Sequence, residues 1–552
     1  MALPGTFEDP QRGATDLRDE KARKAYEEGH DADLFVSTTS ATKNDTRVDV
    51  EKGLSSNRAS TISGDDTLGD GTPATGAGAS SEGEEINPDT VDWEGPDDPN
   101  NPQNWTAKKK WSMIGALAAV TLVTPLGSSF FAPGVPEVLA AFGTTSNIMA
   151  SFVVSIYILG FAIGPLFIAP VSELYGRNIC YHVCNALFVI FTIACAVSNS
   201  MGMLTAFRFL AGCAGSAPLT IGGGTIADIF PREQRAGAMA IWAMGPLLGP
   251  VVGPVCGGFL VEAKGWRWVF WILAIFAGLF SFLMVAFSHE SYAPVLLERK
   301  AARLRKETGN QNLRAKGAAD IPVKEVFVRS IVRPMKMLIL SPIVLLMSLY
   351  VAVNYGILYL IFTTITFVFE GQYHFSSGVV GLSYIGTGVG MVLGLVVLGA
   401  VSDRIIKQHQ AKGNVKPEHR LPLILTMPGG IGLPIGIFIY GWTTDKHVHW
   451  IVPIIATAFV GLGNLTGMMT IQTYLVDAFT VHAASAMAAN TVLRSMFGAF
   501  LPLSGLSMYD ALGLGWGNSL LGFISLALIP VPIFFRYYGE RIRTNPRFQV
   551  KL

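Results

Sequence analysis

The stretch Gly245–Gly258 reads GPLLGPVVGPVCGG and lies inside an uncharged run from Ala236 to Val261. Gly245, Gly249, Gly253 and Gly257 recur every fourth residue, so on a helix they share one face. Pro246, Pro250 and Pro254 recur at the same interval on the face beside it, and Gly258 closes the run. In water, each interior proline would cost a helix about 3 kcal/mol. In hydrocarbon an unwound backbone has no water to bond, so helices there tolerate Gly and Pro. A face bare of side chains lets another helix approach backbone to backbone. The prolines remove donors and favour a bend. The stretch therefore reads as a membrane-spanning helix with a close-packing seam.

The rest of the chain agrees. Half of its 552 residues are hydrophobic and only 15% are charged, with a mean hydropathy of +0.42. That composition is that of a polytopic membrane protein. The net charge of +1 says nothing about nucleic acid, but there is no basic domain, so no nucleic-acid partner is expected. Five cysteines all fall in apolar segments and read as small packing residues. Residues 1–100 differ: Ser, Thr, Gly, Asp and Glu dominate, and a disordered cytosolic tail is expected. The lead-in Val91–Trp111 carries Trp105, Trp111 and Lys108–Lys110, which suit an interfacial anchor.

Apolar runs of spanning length occur near 112–132, 147–170, 179–198, 203–227, 237–261 and 268–288, and again near 339–366, 376–401, 421–442, 450–475, 484–508 and 515–536. Twelve spans in two groups of six are expected, all α-helical. The bundles would cover 101–288 and 339–536, with a linker at 289–338 and a short tail at 537–552. Counting from an inside N-terminus, Lys and Arg concentrate in the inner connections: Arg177, Arg232, Arg235, the set from Arg299 to Lys336, and Arg404 to Arg420. Only Lys264, Arg267 and Lys446 fall outside, so both termini are expected in the cytosol. Ala293–Lys306 reads either as an amphipathic basic helix on the inner leaflet or as solvated linker.

The halves repeat. At an offset of 230, Gly160, Gly164, Ala169 and Glu173 meet Gly390, Gly394, Gly399 and Asp403; at an offset of 249, Gly212 and Asp228 meet Gly461 and Asp477. Two parallel six-helix halves place a substrate site between them near mid-depth. The seam of the fifth span is expected to pack against the eighth, whose Gly386, Gly390 and Gly394 form a second small face.

With these features the chain resembles the major facilitator superfamily, and within it the fungal twelve-span drug:proton antiporters. The likeness rests on the fifth-span stretch, which matches that family's antiporter signature. It rests also on PVSELYGRN (170–178), RFLAGCAGSAP (208–218), YAPVLLERK (292–300) and the acidic lead-in VDWEGPDDPNNPQNW, and it covers about residues 90–545. The family pattern between spans 2 and 3 is Gly, three residues, Asp, a base, any residue, Gly, Arg, a base. This chain keeps Gly176 and Arg177 but has Ala169, Glu173, Leu174 and Asn178 at the other places; the second copy keeps Gly399, Asp403 and Arg404. Glu173 with Arg177 reads as a loop latch rather than a proton carrier, and Glu173, Gly176, Arg177, Asp403 and Arg404 are the gating candidates of the two copies. Arg208 holds the arginine place of the family's fourth-span pattern, which implies a part in proton coupling.

Few ionisable residues lie within the spans, and an intramembrane Arg is a functional candidate by default. Arg208 lies five residues inside span 4 and Arg494 near the middle of span 11. Asp228 follows Arg208 by 20 residues, about 30 Å along a straight helix, so the two cannot pair. Asp228 reads as a proton carrier or as a fixed partner of Arg232 or Arg235. Arg494 follows Asn490 in ANTVLRS and either faces the cavity or is held by the fold. Trp242, Tyr350, Tyr355, Tyr359 and Phe362 offer aromatic walls, with Asn354 and Gln472 as polar handles. The substrate-binding set is thus Trp242, Asn354, Tyr355, Tyr359, Gln472, Asn490 and Arg494. The lack of a deep carboxylate disfavours a dedicated cation carrier. There is no phosphate-binding Gly–Lys loop, metal set or nucleophile–base pair, so neither catalysis nor a cofactor is expected. The expectation is a monomeric, multi-pass plasma-membrane exporter of small hydrophobic or amphiphilic compounds, coupled to protons. The alternatives are a dedicated exporter of one metabolite or organic anion, and a non-transporting nutrient sensor.

Overall fold

The computed structural model describes residues 89–231, 234–316, 322–411 and 416–548. The first half consists of α1 (Ala107–Ser129), α2 (Asn147–Tyr175), α3 (Arg177–Ala196), α4 (Met201–Ile229, interrupted at Ser216), α5 (Arg235–Lys264) and α6 (Trp266–Phe287). The second consists of α7 (Pro342–Tyr373), α8 (Ser377–Ala411), α9 (Leu423–Asp445) and α10 (Ile451–Ala478), followed by one apolar stretch, Ala483–Thr544, of 62 residues. As a single helix that stretch would run about 90 Å, three bilayer cores. It turns instead at Gly513, whose φ of 74° and ψ of 169° are closed to a helix and suit glycine. The turn yields α11 (483–512) and α12 (514–544). Twelve crossings in two six-helix bundles result, and both ends of the described chain lie on one face, the near face. Serines start several helices: Ser146, Ser200 and Ser341 accept from the backbone N–H three residues on.

The internal repeat is a packing repeat. A Cβ on Gly212 of α4 would strike the carbonyl of Tyr157 on α2, and one on Gly461 of α10 would strike the carbonyl of Thr387 on α8. Tyr157 and Thr387 are themselves 230 residues apart. Gly160 and Gly390 are likewise pressed against the backbones of α4 and α10. Thus the period-four small faces hold α2 to α4 and α8 to α10, each within its own half.

The α5 seam corrects the expectation. Gly245, Gly249, Gly253 and Gly257 face Leu122, Leu126, Ser129 and Phe130. Their partner is α1 and the segment just after it, in the same half. Only the neighbouring edge reaches α8: Gly258 faces Ser377 and Gly381, Gly381 abuts the Pro254 carbonyl, and Gly388 meets Val251. A bare face announces a close approach without saying which backbone makes it.

The two halves meet toward the far face. Glu262 accepts from Gly378 N–H at 2.9 Å and Ser376 Oγ at 3.0 Å at the start of α8. Ser155 Oγ donates to the Ala499 carbonyl at 2.7 Å, and Asn147 Nδ2 to Asp510 at 2.7 Å, joining α2 to α11. Deeper in, Ser128 and Tyr359 hydroxyls lie 3.5 Å apart and Thr366 donates to the Ala132 carbonyl. Among the described residues, every hydrogen bond between the halves lies at mid-depth or beyond it, and none on the near side.

Residues 89–100, assigned by composition to the tail, are folded. Thr90–Val91 pairs in parallel with Arg314–Ala315. Val91, Leu297, Ala301 and Ala315 form a small apolar cluster with Trp93, Leu304 and Leu313. Lys300 donates to the Asp92 carbonyl and pairs with Glu94, while Lys316 pairs with Asp92 at 2.8 Å. The linker helix Ala293–Thr308 thus turns its apolar face to the chain's own lead-in rather than to lipid. Trp105 is buried against the His289 ring, and Trp111 is exposed. The tail preceding residue 89 lies outside the described residues.

Candidate functional site

On the near face of the first half, Gly176 (φ 103°) turns the chain sharply from α2 into α3. A side chain there would strike Glu290. Arg177, the next residue, pairs with Asp228 at the end of α4 (Nε–Oδ2 3.4 Å) and donates to Ser172 Oγ at 2.7 Å. Its guanidinium lies 4.5 Å from the Tyr292 ring centre. Burial raises the Tyr292 phenol above its ordinary value. Glu173 stands exposed, outside the pair. Asp228 is also not the partner of Arg235, which turns back to the Ala227 and Phe230 carbonyls; Arg232 lies outside the described residues. Buried Glu290 accepts from the backbone N–H groups of Arg177, Asn178, Ser291 and Tyr292. It places a carboxylate on the positive end of α3. Sequence reasoning passed over Glu290; the signal was an acid in SHESY, directly after the sixth span.

The second half repeats this latch at a different place from the one expected. Arg420, just before α9, pairs with Asp477 at the end of α10 (Nε–Oδ2 2.6 Å). Arg420 is thus the counterpart of Arg177, and Asp477 of Asp228. Arg404 stands exposed on α8, and only the backbone position of Asp403 is described. Glu418 is buried beside Arg543 of α12. His419, between the two, has its imidazole held below the ordinary range by burial and by neighbouring His409.

Arg208 is 1% exposed. It donates to the carbonyls of Val153, Ser128 and Val154 and lies within 6 Å of the ring centres of Phe131, Tyr157 and Phe270. It joins α4 to α1 and α2 as a structural centre of the first half.

Arg494 is placed differently. It sits on α11 about 16 Å from the helix start, half-buried, with its guanidinium 4.7 Å from the Tyr355 ring centre and Nη1 3.3 Å from the Met468 sulfur. Its Nε is buried without a partner. One turn away, fully buried Asn490 has no partner for either amide atom. One turn farther on, Gly498 fits between Tyr355 and Ile158 of α2, where the halves touch. Arg494 therefore lies directly beneath the far-side seal. Tyr355, Tyr359, Phe362 and Tyr384 continue as a chain of ring contacts with centroids 4.9–5.6 Å apart. Tyr359 reaches Ser128 of the other half.

The remaining candidates divide. Asn354 is buried within the second half, accepting from Ser525 and, through its carbonyl, from Asn464. Trp242 packs on Gly222 and donates to the Pro218 carbonyl, inside the first half. Gln472 is half-buried on α10. The central group is accordingly Arg494, Asn490, Tyr355, Tyr359 and Met468. This is an aromatic, weakly polar wall between two bundles, with an ion-pair latch at each near-face edge. Such a wall suits a small amphiphilic molecule.

Residues 117–502 match the profile of the Major Facilitator Superfamily. The chain is 59% identical to MFS-type transporter penM of Penicillium rubens over 84% of this chain and 91% of that one. It is 52% identical to Efflux pump radE of Floropilus chiversii over 90% and 91%. Its fold resembles a D-xylose–proton symporter (TM-score 0.58, 16% identity, 77% of this chain and 97% of that one). It also resembles an inward-facing bacterial homologue of the lysosomal transporter Spinster (0.57, 15%, 79% and 98%).

Proposed function

Since the chain belongs to the major facilitator superfamily, we propose that it is a proton-coupled exporter of small, largely hydrophobic organic compounds. It is a multi-pass monomer of the plasma membrane with both termini in the cytosol. The observation that carries this reading is the aromatic wall of Tyr355 and Tyr359 where the two bundles meet, with every hydrogen bond between the described parts of the halves at mid-depth or beyond it. The near face is also the Lys- and Arg-rich face, which supports the cytosolic assignment. A compound enters from the cytosol or inner leaflet, seats against Tyr355 and Tyr359, and leaves when the halves rock about it. The description of one relative as an efflux pump supports the outward direction.

Asp228 is the group proposed to couple the proton. It is the carboxylate of the first-half latch, at the near face. Protonation would release Arg177 from Asp228, and loss of the proton would restore the pair. One inward proton supplies about 2.3 kcal/mol per 100 mV and about 1.4 kcal/mol per pH unit. At 100 mV and one pH unit, that supports a substrate gradient of about 500-fold. The test uses purified protein in liposomes with an imposed pH gradient and a panel of hydrophobic dyes. Wild type concentrates a dye against its gradient, whereas Asp228→Asn binds it but only equilibrates it. Uphill transport by the variant would remove Asp228 from the mechanism, and gradient-independent transport by wild type would remove the proton.

A further inference from the structure

We propose that the substrate carries one oxyanion, a carboxylate or sulfonate on an otherwise apolar body, and that Arg494 and Asn490 receive it. This rests on the transport reading above and names the chemistry of its central site. A guanidinium has five donors in a planar fork. Arg494 commits Nη1 to a thioether, a weak acceptor, and lays its face on Tyr355; Nε is buried with nothing to bond. Among the described residues, the carboxylates on the spanning helices stand toward helix ends, with none beside Arg494 on α7, α10 or α11. The fold thus holds a cation at mid-depth and supplies no counter-charge.

Two further observations point the same way. Asn490 and Arg494 are one turn apart, so they share a face of α11. Side chains on a helix lean toward its N-terminus, which brings the Arg494 fork toward the level of Asn490. Both amide atoms of Asn490 are unpartnered although the residue is fully buried. An oxyanion accepting from Nε and one Nη of Arg494 and from Nδ2 of Asn490 satisfies these groups together. The apolar body then lies along Tyr355 and Tyr359, beneath the seal at Gly498. Arg208 offers no comparable vacancy, because carbonyls occupy its fork.

The test is equilibrium binding of two probes that differ by one group. 8-Anilinonaphthalene-1-sulfonate carries the anion; N-phenyl-1-naphthylamine is the same body without it. Each is titrated by fluorescence into protein in nanodiscs of zwitterionic lipid, with empty discs subtracted and no proton gradient. The readout is the ratio of the two affinities within one protein, so the folded fraction cancels. Arg494→Gln lowers the anion preference at least tenfold, Asn490→Ala lowers it about threefold, and Arg494→Lys, which keeps the charge, retains most of it. A preference that stays within threefold in Arg494→Gln overturns the proposal, as does a Lys variant that loses it as fully as the Gln variant. Because no gradient is involved, failure here leaves proton-coupled transport standing, and failure of uphill transport leaves the binding preference standing.

Discussion

Among the described residues, two arginines lie deep inside the spanning helices, one in each half, and the fold treats them oppositely. Arg208 is enclosed: three carbonyls meet its fork and three rings meet its faces. Arg494 has a thioether, one ring and an unpartnered Nε. A buried charge in a membrane helix is commonly taken as a sign of function. The comparison shows that the sign lies in what is left unsatisfied. A guanidinium whose donors are spent on its own backbone stitches helices together, and one whose donors are idle awaits a partner.

The largest effect that could break this contrast is at Arg208. Arg208→Leu removes three charge-assisted bonds that tie α4 to α1 and α2, at a cost of about 3 kcal/mol or more. Arg208→Lys does not restore it, because a single ammonium cannot span both helices as the planar fork does. The expected outcome is a steep loss of monodisperse protein in detergent for both variants. A wild-type yield and thermal midpoint for Arg208→Leu would place Arg208 beside Arg494 as an unsatisfied charge.

A middle-sized effect separates the near-face latches. In the first half the Arg177 and Asp228 side chains are 12% and 20% exposed; in the second, Arg420 and Asp477 are 27% and 38% exposed. Glu290 adds four backbone N–H groups to the first latch. Glu290→Gln removes the charged acceptor from that set and costs about 1–3 kcal/mol. Asp477→Asn touches a solvent-screened pair and costs about 0–1 kcal/mol. Thermal midpoints measured side by side check the order. Equal shifts would mean that the halves are held alike at their near-face edges.

The spans, their grouping and the repeat were legible because hydropathy and small-residue spacing are local properties, and the offsets of 230 and 249 reappear as matched carbonyl contacts at Tyr157 and Thr387. What escaped was partnership across sequence. Glu173 lies four residues before Arg177 and looks like its mate, yet Gly176 breaks the helix between them and turns Arg177 toward Asp228, 51 residues on. Asp403 and Arg404 look like the second copy of the gating motif, yet α8 runs on to Ala411 and the ion pair of this half forms between Arg420 and Asp477. Glu290 read as linker charge because nothing in its own neighbourhood reveals that the start of α3 lies against it. The α5 seam was recognised and its partner was not, since glycine spacing encodes proximity without direction. The two arginines were visible as outliers, but their opposite surroundings depend on carbonyls from α1 and α2 that no pattern around residue 208 announces.

The smallest expected effect sharpens the contrast most, because it repeats the first substitution in the other half. Arg494→Leu removes the ring contact with Tyr355, worth about 0.5–1 kcal/mol where partly exposed. It also removes a half-buried charge that has no counter-ion among the described residues, which is a burden on the folded state. Leucine has the volume to fill against Met468 and Tyr355, and Asn490 is unpartnered before and after the change. The two terms oppose one another, so the net change in stability is within about 1 kcal/mol of zero. The thermal midpoint of the empty protein should move by no more than a few degrees, while anion recognition is lost. If Arg494→Leu instead unfolds the protein as Arg208→Leu does, then Arg494 is held by the fold after all, and the idle donors are not a binding site.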